Sequence, residues 1–113
     1  MDYQQARSYI LNHRDAVEDF PLGPHTAVYR VRHKIFAQLT AESEGERISL
    51  KCDPAEALLL RDMFKAVTAG YHFNKKHWNT VLLDGTVADT EIERMIDNSY
   101  ALVVSTLPTH QRP

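Results

Sequence analysis

The sequence predicts a single compact domain of the α/β (α+β) class, a two-layer sandwich in which an antiparallel sheet is covered on one face by helices. Helical apolar spacing occurs near both ends of the chain and after Asp53, and period-two alternation fills much of the stretch between. The chain has 113 residues, of which 43% are hydrophobic and 25% charged. This size and composition are ordinary for one globular domain with its own core, so we expect residues 1–113 to fold as one unit.

The first helix is predicted to begin after Asp2, whose side chain can cap it while Gln5 reaches back from the third helical position. It is expected to end near His13. Residues 15–25 contain two prolines and a glycine, which predicts a connection. The apolar side chains of this connection that are expected to pack against the core are Val17, Phe20 and Leu22.

Period-two alternation predicts three strands of an antiparallel meander. Residues 27–32 and 35–40 pair through a turn near Arg32-His33-Lys34, and a charged turn around Gly45 leads to a third strand that ends at Cys52. The same alternation puts Cys52 on the buried face with Ile48 and Leu50. We therefore predict an inert core thiol, although a following helix N-terminus lowers the pKa of a cysteine.

The second helix is predicted to begin at Asp53, which acts as the cap, with Pro54 in the first helical position and Glu56 placed to close a capping box. Its apolar residues recur at helical spacing, which predicts a heavily buried helix. The predicted stripe comprises Ala55, Leu58, Leu59 and Met63, widened by Leu60 and Phe64.

The C-terminal part of the chain is predicted to contain a short extended piece at 71–73 and a strand at 78–83. A last helix begins near Asp89 and runs until Pro108, and residues 109–113 form a loose tail. The apolar stripe of this helix comprises Ile92, Met95, Ile96, Tyr100 and Val103.

The charge, the cysteine content and the motifs of the chain limit the classes of function it can have. The net charge is -2, so any contact with nucleic acid has to come from a local patch. A single cysteine rules out an internal disulfide or a cysteine-based zinc site within one chain. The chain has no apolar run of membrane-spanning length and no signal-peptide pattern at its N-terminus, which predicts a cytoplasmic protein. The familiar phosphate-loop, serine-elbow and metalloprotease motifs do not occur, so we predict a non-enzymatic protein without a cofactor.

Two basic clusters are candidates for contact with DNA phosphates. The first comprises Arg30, Arg32, His33 and Lys34 at the predicted hairpin tip, and the second comprises Lys75, Lys76 and His77. Basic side chains on a hairpin tip can grip the phosphates beside a groove. The competing interpretation is a solvated strand face, which the negative net charge of the chain favours.

A polar cluster of His72, Asn74, His77 and Trp78 is open to two interpretations. Its histidines and asparagine either bond to backbone groups and hold an irregular loop on the core, or line a pocket for a small anion or a peptide. A spacing of five between His72 and His77 fits neither helical nor single-face strand ligation, so no metal site is predicted. Trp78 is expected to be a core anchor, with a stacking platform for a base as the alternative.

The stretch from His72 to Val81, continued by Leu83-Asp84-Gly85, resembles the histidine, asparagine-lysine and histidine-tryptophan signature of the MmcQ/YjbR family of small bacterial proteins. Other matching segments are Lys34-Ile35-Phe36-Ala37, Ser49-Leu50-Lys51-Cys52-Asp53-Pro54, Ser99-Tyr100 and Leu107-Pro108. The resemblance implies a sandwich similar to CyaY, the bacterial frataxin, and a double-wing mode of DNA contact. The chain departs from many relatives at Arg32-His33, where they have glycines. The acidic ridge on which frataxins depend is absent from the first helix, so iron binding is not carried over.

The leading prediction is a monomeric, non-enzymatic DNA-binding protein that uses the two basic clusters. The alternative is a protein-interaction or small-ligand module that uses the polar cluster. A third possibility, an enzyme, rests only on the same histidine-rich segment and would need a histidine of perturbed pKa within reach of an open cleft. An exposed, concave polar cluster would favour the alternative, and a hydrogen-bonded one would make the cluster structural.

Overall fold

The computed structural model describes residues 1–70 and 73–113, and these residues form a six-stranded sheet and three α-helices. The helices are α1 (Tyr3–Leu11), α2 (Pro54–Met63) and α3 (Asp89–Ser105). The strands are β1 (Ala16–Asp19), β2 (Thr26–Val31), β3 (Lys34–Glu42), β4 (Gly45–Lys51), β5 (Val67–Ala69) and β6 (Trp78–Leu82). Neighbouring strands are antiparallel throughout, in the order β1-β2-β3-β4-β6-β5. The predicted α+β sandwich is confirmed.

All three helices pack on one face of the sheet. α3 crosses β2, β3 and β4, α1 packs on β1, β3 and β4, and α2 covers β5 and β6. One apolar cluster joins the layers, and its members include Ala6, Ile10, Tyr29, Phe36, Leu39, Ile48, Leu60, Val81 and Ile96. The opposite face, which we call the open face, presents alternate side chains that include Gln38, Thr40, Arg47, Ser49 and Thr80. In the described parts of the chain, no helix is long and apolar enough to cross a bilayer.

Local capping signals fix where the first two helices begin. The Asp2 side chain accepts the N–H of Gln5, and the Gln5 side chain accepts the N–H of Asp2, both at 2.9 Å, as predicted. The Asp53 side chain accepts the N–H groups of Ala55 and Glu56 at 3.2 and 3.3 Å. The Asp53 side chain thereby bonds two backbone N–H groups of the first turn of α2 that have no partner within the helix.

The prediction that residues 15–25 form only a connection was wrong. Residues 16–19 form β1, and the side chains of Val17, Phe20 and Leu22 are 58%, 45% and 69% exposed instead of packed in the core. The physical reason lies in Glu18, which points inward and is bonded to Arg7 and Tyr29. β1 therefore has a polar residue inside and an apolar residue outside, the reverse of the usual strand pattern.

The predicted buried stripe of α2 was wrong for Leu58, Leu59 and Met63, which are 65%, 55% and 60% exposed. It was right for Leu60, which is buried, and for Phe64, which packs against the core cluster. The second core residue of the helix is Ala57, which the predicted stripe did not include. Arg61 explains this rotation, because its guanidinium bonds to the buried side chain of Asn79 on β6 and holds that side of the helix against the sheet.

The C-terminal part follows the sequence prediction more closely. β6 and α3 lie where they were expected, and the buried residues of α3 are Ile92, Met95, Ile96, Ser99 and Val103. The predicted extended piece at 71–73 lies mostly outside the described residues, because these exclude Tyr71 and His72, and Phe73 lies in a bend. Thr109–Gln111 form a turn of 3₁₀ helix.

Candidate functional site

Both basic clusters lie at the same end of the sheet. The β2–β3 turn, Arg32-His33, projects from this end. The segment before β6 leaves the sheet there too, because Trp78 pairs with Lys51 and the N–H of Cys52 donates to the carbonyl of His77 at 2.7 Å. We call this region the basic end, and it comprises Arg32, His33, Lys34, Lys75 and Lys76.

A buried serine of α3 inserts between β3 and β4 at the basic end. The hydroxyl of Ser99 accepts the N–H of Lys51 at 2.9 Å and donates to the carbonyl of Phe36 at 2.6 Å. Since β4 lies between β3 and β6, the two basic segments are two strand spacings apart, about 10 Å or more. Ser99 thus helps to set the separation of the two segments.

Internal partners occupy most of the basic side chains of the hairpin. Arg30 lies on β2 and pairs with Asp19 of β1 at 3.1 Å. Arg32 pairs with Asp15 at 3.3 Å and donates through Nε to the carbonyl of Gln111 at 2.7 Å. Lys34 donates to the hydroxyl of Thr106 at 2.9 Å. The hairpin cluster therefore carries less available positive charge than the sequence predicted.

The second basic segment is a compact, solvent-facing turn, residues 74–77, which we call the lysine turn. The side chain of Asn74 accepts the N–H of Lys76 at 2.9 Å, and its carbonyl accepts the N–H of His77 at 3.1 Å. Lys75 and Lys76 are exposed, and no described carboxylate pairs with them. His77 is half-buried.

Arg61 of α2 anchors the lysine turn, a role that the sequence did not indicate. Its Nη2 donates to the carbonyls of Lys75 and Trp78, the latter at 3.3 Å, and its Nε donates to Oδ1 of Asn79 at 2.7 Å. Asn79 in turn donates to the carbonyl of Ala57 at 3.2 Å. A single arginine on a helix belongs to no motif, so only the packing of α2 against β6 reveals its role.

The expectation that Trp78 anchors the core was wrong. Its ring lies outside the apolar core cluster and stacks on Phe73, with centroids 4.2 Å apart and planes 18° apart. Neither Asn74, His77 nor Trp78 lines a described cavity, and His72 lies outside the described residues. No three metal-ligating side chains converge anywhere in residues 1–70 and 73–113.

The open face of the sheet forms the largest described cavity, of about 820 Å³. Its floor consists of polar side chains from adjacent strands, and Leu22 and Phe73 stand at its sides. We call this cavity the cradle. Its lining residues include Thr26, Gln38, Thr40, Glu42, Arg47, Ser49, Thr68 and Thr80.

Cys52 is buried, as the sequence predicted. Burial, together with the nearby carboxylates of Glu56 and Asp53, raises the pKa of its thiol to about 11. The neutral thiol is a poor nucleophile, so this cysteine does not support covalent catalysis.

A hydrogen-bond network around His13 joins α1 to α3. Nε2 of His13 lies 2.8 Å from Asp97, and the hydroxyl of Tyr9 donates to the same carboxylate at 2.9 Å. The imidazole also packs against Tyr100, with ring centroids 4.9 Å apart. These contacts hold the two helices together. No described serine, threonine or cysteine side chain bonds to His13, as the nucleophile of a catalytic pair would.

The chain matches the YjbR family model over residues 11–102. It is 37% identical to the uncharacterized protein YjbR of Escherichia coli strain K12 over 83 residues, which cover 74% of this chain and 70% of that protein. It is 36% identical to the uncharacterized protein YbdF of Escherichia coli O157:H7 over 89 residues, which cover 78% of this chain and 72% of that protein.

Two solved structures have the same fold. The crystal structure of Deinococcus radiodurans protein DR2400 superposes with a TM-score of 0.91 at 32% identity, covering 98% of this chain and 85% of that one. A crystal structure of a Pseudomonas syringae protein gives a TM-score of 0.80 at 31% identity, covering 90% of this chain and 98% of that one. With the match to the family model and the two Escherichia coli relatives, these structures show that the chain belongs to the YjbR family.

Proposed function

We propose that this chain is a non-enzymatic DNA-binding module that contacts backbone phosphates with the basic end of its sheet. One observation carries the proposal: two basic segments that are far apart in the sequence project from the same end of the sheet. Folding therefore concentrates positive charge locally in a chain whose net charge is -2. Such a patch is the electrostatic footprint of phosphate binding.

The separation of the two segments suits a duplex. The strands that carry them, β3 and β6, are two strand spacings or about 10 Å apart, which is of the same order as the ~12 Å width of a major groove. The hairpin tip and the lysine turn can then bind phosphates on the two sides of one groove. Such contacts fix orientation and carry no sequence information, so we expect binding that is largely independent of sequence.

The lysine turn contributes more to binding than the hairpin. Lys75 and Lys76 can donate hydrogen bonds to phosphates without losing a described ion pair, and the bonds from Arg61 hold the turn in place before binding. Preorganisation of this kind reduces the entropy lost on association. Arg32 must exchange Asp15 for a phosphate, although a surface ion pair is worth only about 0–1 kcal/mol. Arg30 lies on the strand beside Asp19 and is not part of the contact set.

The test is fluorescence anisotropy of short labelled duplex and single-stranded DNA, titrated with protein across a salt series. Lys75→Ala and Lys76→Ala should each weaken binding on every sequence and reduce the slope of log affinity against log salt by about one. The matched control is Lys65→Ala, because this exposed lysine precedes β5 at the opposite end of the sheet.

Two results would overturn the proposal. The first is the absence of saturable binding by the wild-type protein at low salt. The second is an equal loss of affinity in Lys65→Ala and Lys76→Ala, since general electrostatic attraction would then account for binding without a defined surface.

A further inference from the structure

A row of polar side chains crosses four strands on the floor of the cradle. Gln38 of β3 pairs with Ser49 of β4, Ser49 pairs with Thr80 of β6, and Thr80 pairs with Thr68 of β5. Gln38, Ser49 and Thr80 are only 6%, 8% and 6% exposed. Polar residues this deeply placed in the middle of a sheet are unusual and point to a purpose other than covering a solvated face.

The described residues of the protein use little of the hydrogen-bonding capacity of this row. The hydroxyls of Ser49 and Thr80 bond to each other at 2.9 Å, which uses one of their two hydrogens. Thr68 donates to the carbonyl of Thr80 in a long contact of 3.5 Å. No described residue bonds to the Gln38 amide, which offers two donors and an acceptor and lies in the lining of the cradle. The remaining capacity faces the cradle.

The shape of the cradle is that of a small-molecule site. Its volume of about 820 Å³ lies within the ~300–1,000 Å³ range of ligand pockets. The polar row spans three strand spacings, about 14 Å. Leu22 and Phe73 add apolar side chains to the lining, and the ring of Phe73 stacks on that of Trp78. A mostly apolar or aromatic contact with a few polar groups is how such sites orient a ligand.

The charges of the cradle disfavour an anionic ligand. Arg47 lies 4.0 Å from the carboxylate of Glu42, and Glu44 adds a second negative charge to the lining. The described lining residues therefore include one cationic and two anionic side chains, with no surplus of positive charge to bind a phosphate or carboxylate. The cradle differs in this respect from the basic end, and its uncharged polar row suits a neutral ligand.

We infer that the cradle binds a neutral, hydroxyl-bearing ring compound, whose ring packs on Phe73 while its hydroxyl or amide groups bond to the row Gln38–Ser49–Thr80. Sugars and nucleosides share this chemistry. The inference is independent of DNA binding, because the cradle and the basic end use different side chains.

The experiment titrates the protein with maltose, adenosine and adenosine monophosphate, and follows amide NMR signals together with tryptophan fluorescence. Trp78 is the only tryptophan and stacks on the wall of the cradle, so its emission reports occupancy. We expect saturable changes at the Gln38 side-chain amide and at Thr80 with maltose or adenosine, and weaker binding of the monophosphate than of adenosine. The maltose and adenosine arms distinguish a sugar from a nucleoside.

A matched pair of variants tests whether the polar row on the floor of the cradle binds the ligand. Thr80→Val keeps the shape of the side chain and removes one hydroxyl, and it should weaken binding roughly 3- to 10-fold. Thr90→Val makes the same change on the exposed first turn of α3 and should leave affinity unchanged. Unfolding midpoints of both variants check that the fold is intact.

Three results would overturn the inference. The first is that neither neutral probe produces saturable changes at the cradle. The second is that adenosine monophosphate binds more tightly than adenosine, which would contradict the charge argument. The third is that Thr80→Val binds the probe as tightly as the wild type.

Discussion

Glu18 is the residue that attaches the edge strand β1 to the rest of the fold. Its carboxylate accepts hydrogen bonds from Nε and Nη2 of Arg7 at 2.7 and 3.0 Å, and from the hydroxyl of the fully buried Tyr29 at 2.8 Å. The hydrogen bond from Arg7 lowers the pKa of Glu18. A bidentate hydrogen bond between an arginine and a carboxylate is stronger than a hydrogen bond between neutral groups.

Replacing Glu18 with Gln should lower the free energy of unfolding by about 1–2 kcal/mol at neutral pH. Because the carboxyl has a lower pKa in the folded chain, its stabilising effect is fully present above the ordinary value of 4.5 and is lost as the pH falls through the folded-state pKa. Urea unfolding of wild type and variant at several pH values measures this, and the gap should close in acid. Glu44→Gln, at an exposed site without a described ion pair, is the control. A gap that persists unchanged in acid would contradict the assignment.

Arg32 shows how one residue of the basic end serves two purposes. Its φ of 59° is left-handed, a conformation that costs a non-glycine residue about 1–2 kcal/mol. Its ion-pair partner Asp15 also has a left-handed φ, of 63°. The guanidinium holds the hairpin tip against Asp15 and Gln111, so replacing Arg32 perturbs packing as well as charge. The lysine turn therefore gives the cleaner test of phosphate contact.

In α2, a polar contact decides how the helix is rotated about its axis. Its sequence has apolar residues on two sides, so periodicity alone does not determine which side is buried. Arg61 selects the face that contains Ala57 and Leu60, because its guanidinium reaches Asn79 and the lysine turn. The same helix thus supports the sheet and positions a candidate binding turn.

Two neighbouring leucines of α2 test this orientation. Leu60→Ala should lower the free energy of unfolding by about 2–5 kcal/mol, because it leaves a cavity in the core. Leu59→Ala, the matched change on the exposed face, should stay within about 0.5 kcal/mol of the wild type. Denaturant unfolding of both variants measures the difference. Equal losses would show that α2 is rotated differently.

Local signals explain which elements were predictable. The Asp2 and Asp53 caps and the alternation on either side of Arg32-His33 depend on neighbours in the sequence, and the structure follows them. β1 and β5 were missed because each is short, with four and three residues, too few to show a period-two pattern. In β1 the pattern is also reversed, because Glu18 points inward and Val17 is exposed.

The sheet separates three surfaces of the molecule. Its helical face is the core, its open face forms the cradle, and one of its ends carries the basic segments. The sequence identified the basic residues but neither their common position nor the internal partners of Arg30, Arg32 and Lys34. It did not reveal the cradle, because polar residues alternating along strands are also the pattern of a solvated face. Similarity to the frataxin fold and a cytoplasmic location stay predictions.

Amide NMR of the protein titrated with a short DNA duplex would show whether DNA binds at the basic end. We predict saturable shifts at His33, Lys75 and Lys76 that weaken as salt is added, with the signals of Lys65 and Thr68 unchanged. Shifts that cluster on the cradle or around Lys65, or spectra that do not change at low salt, would rule out binding at the basic end.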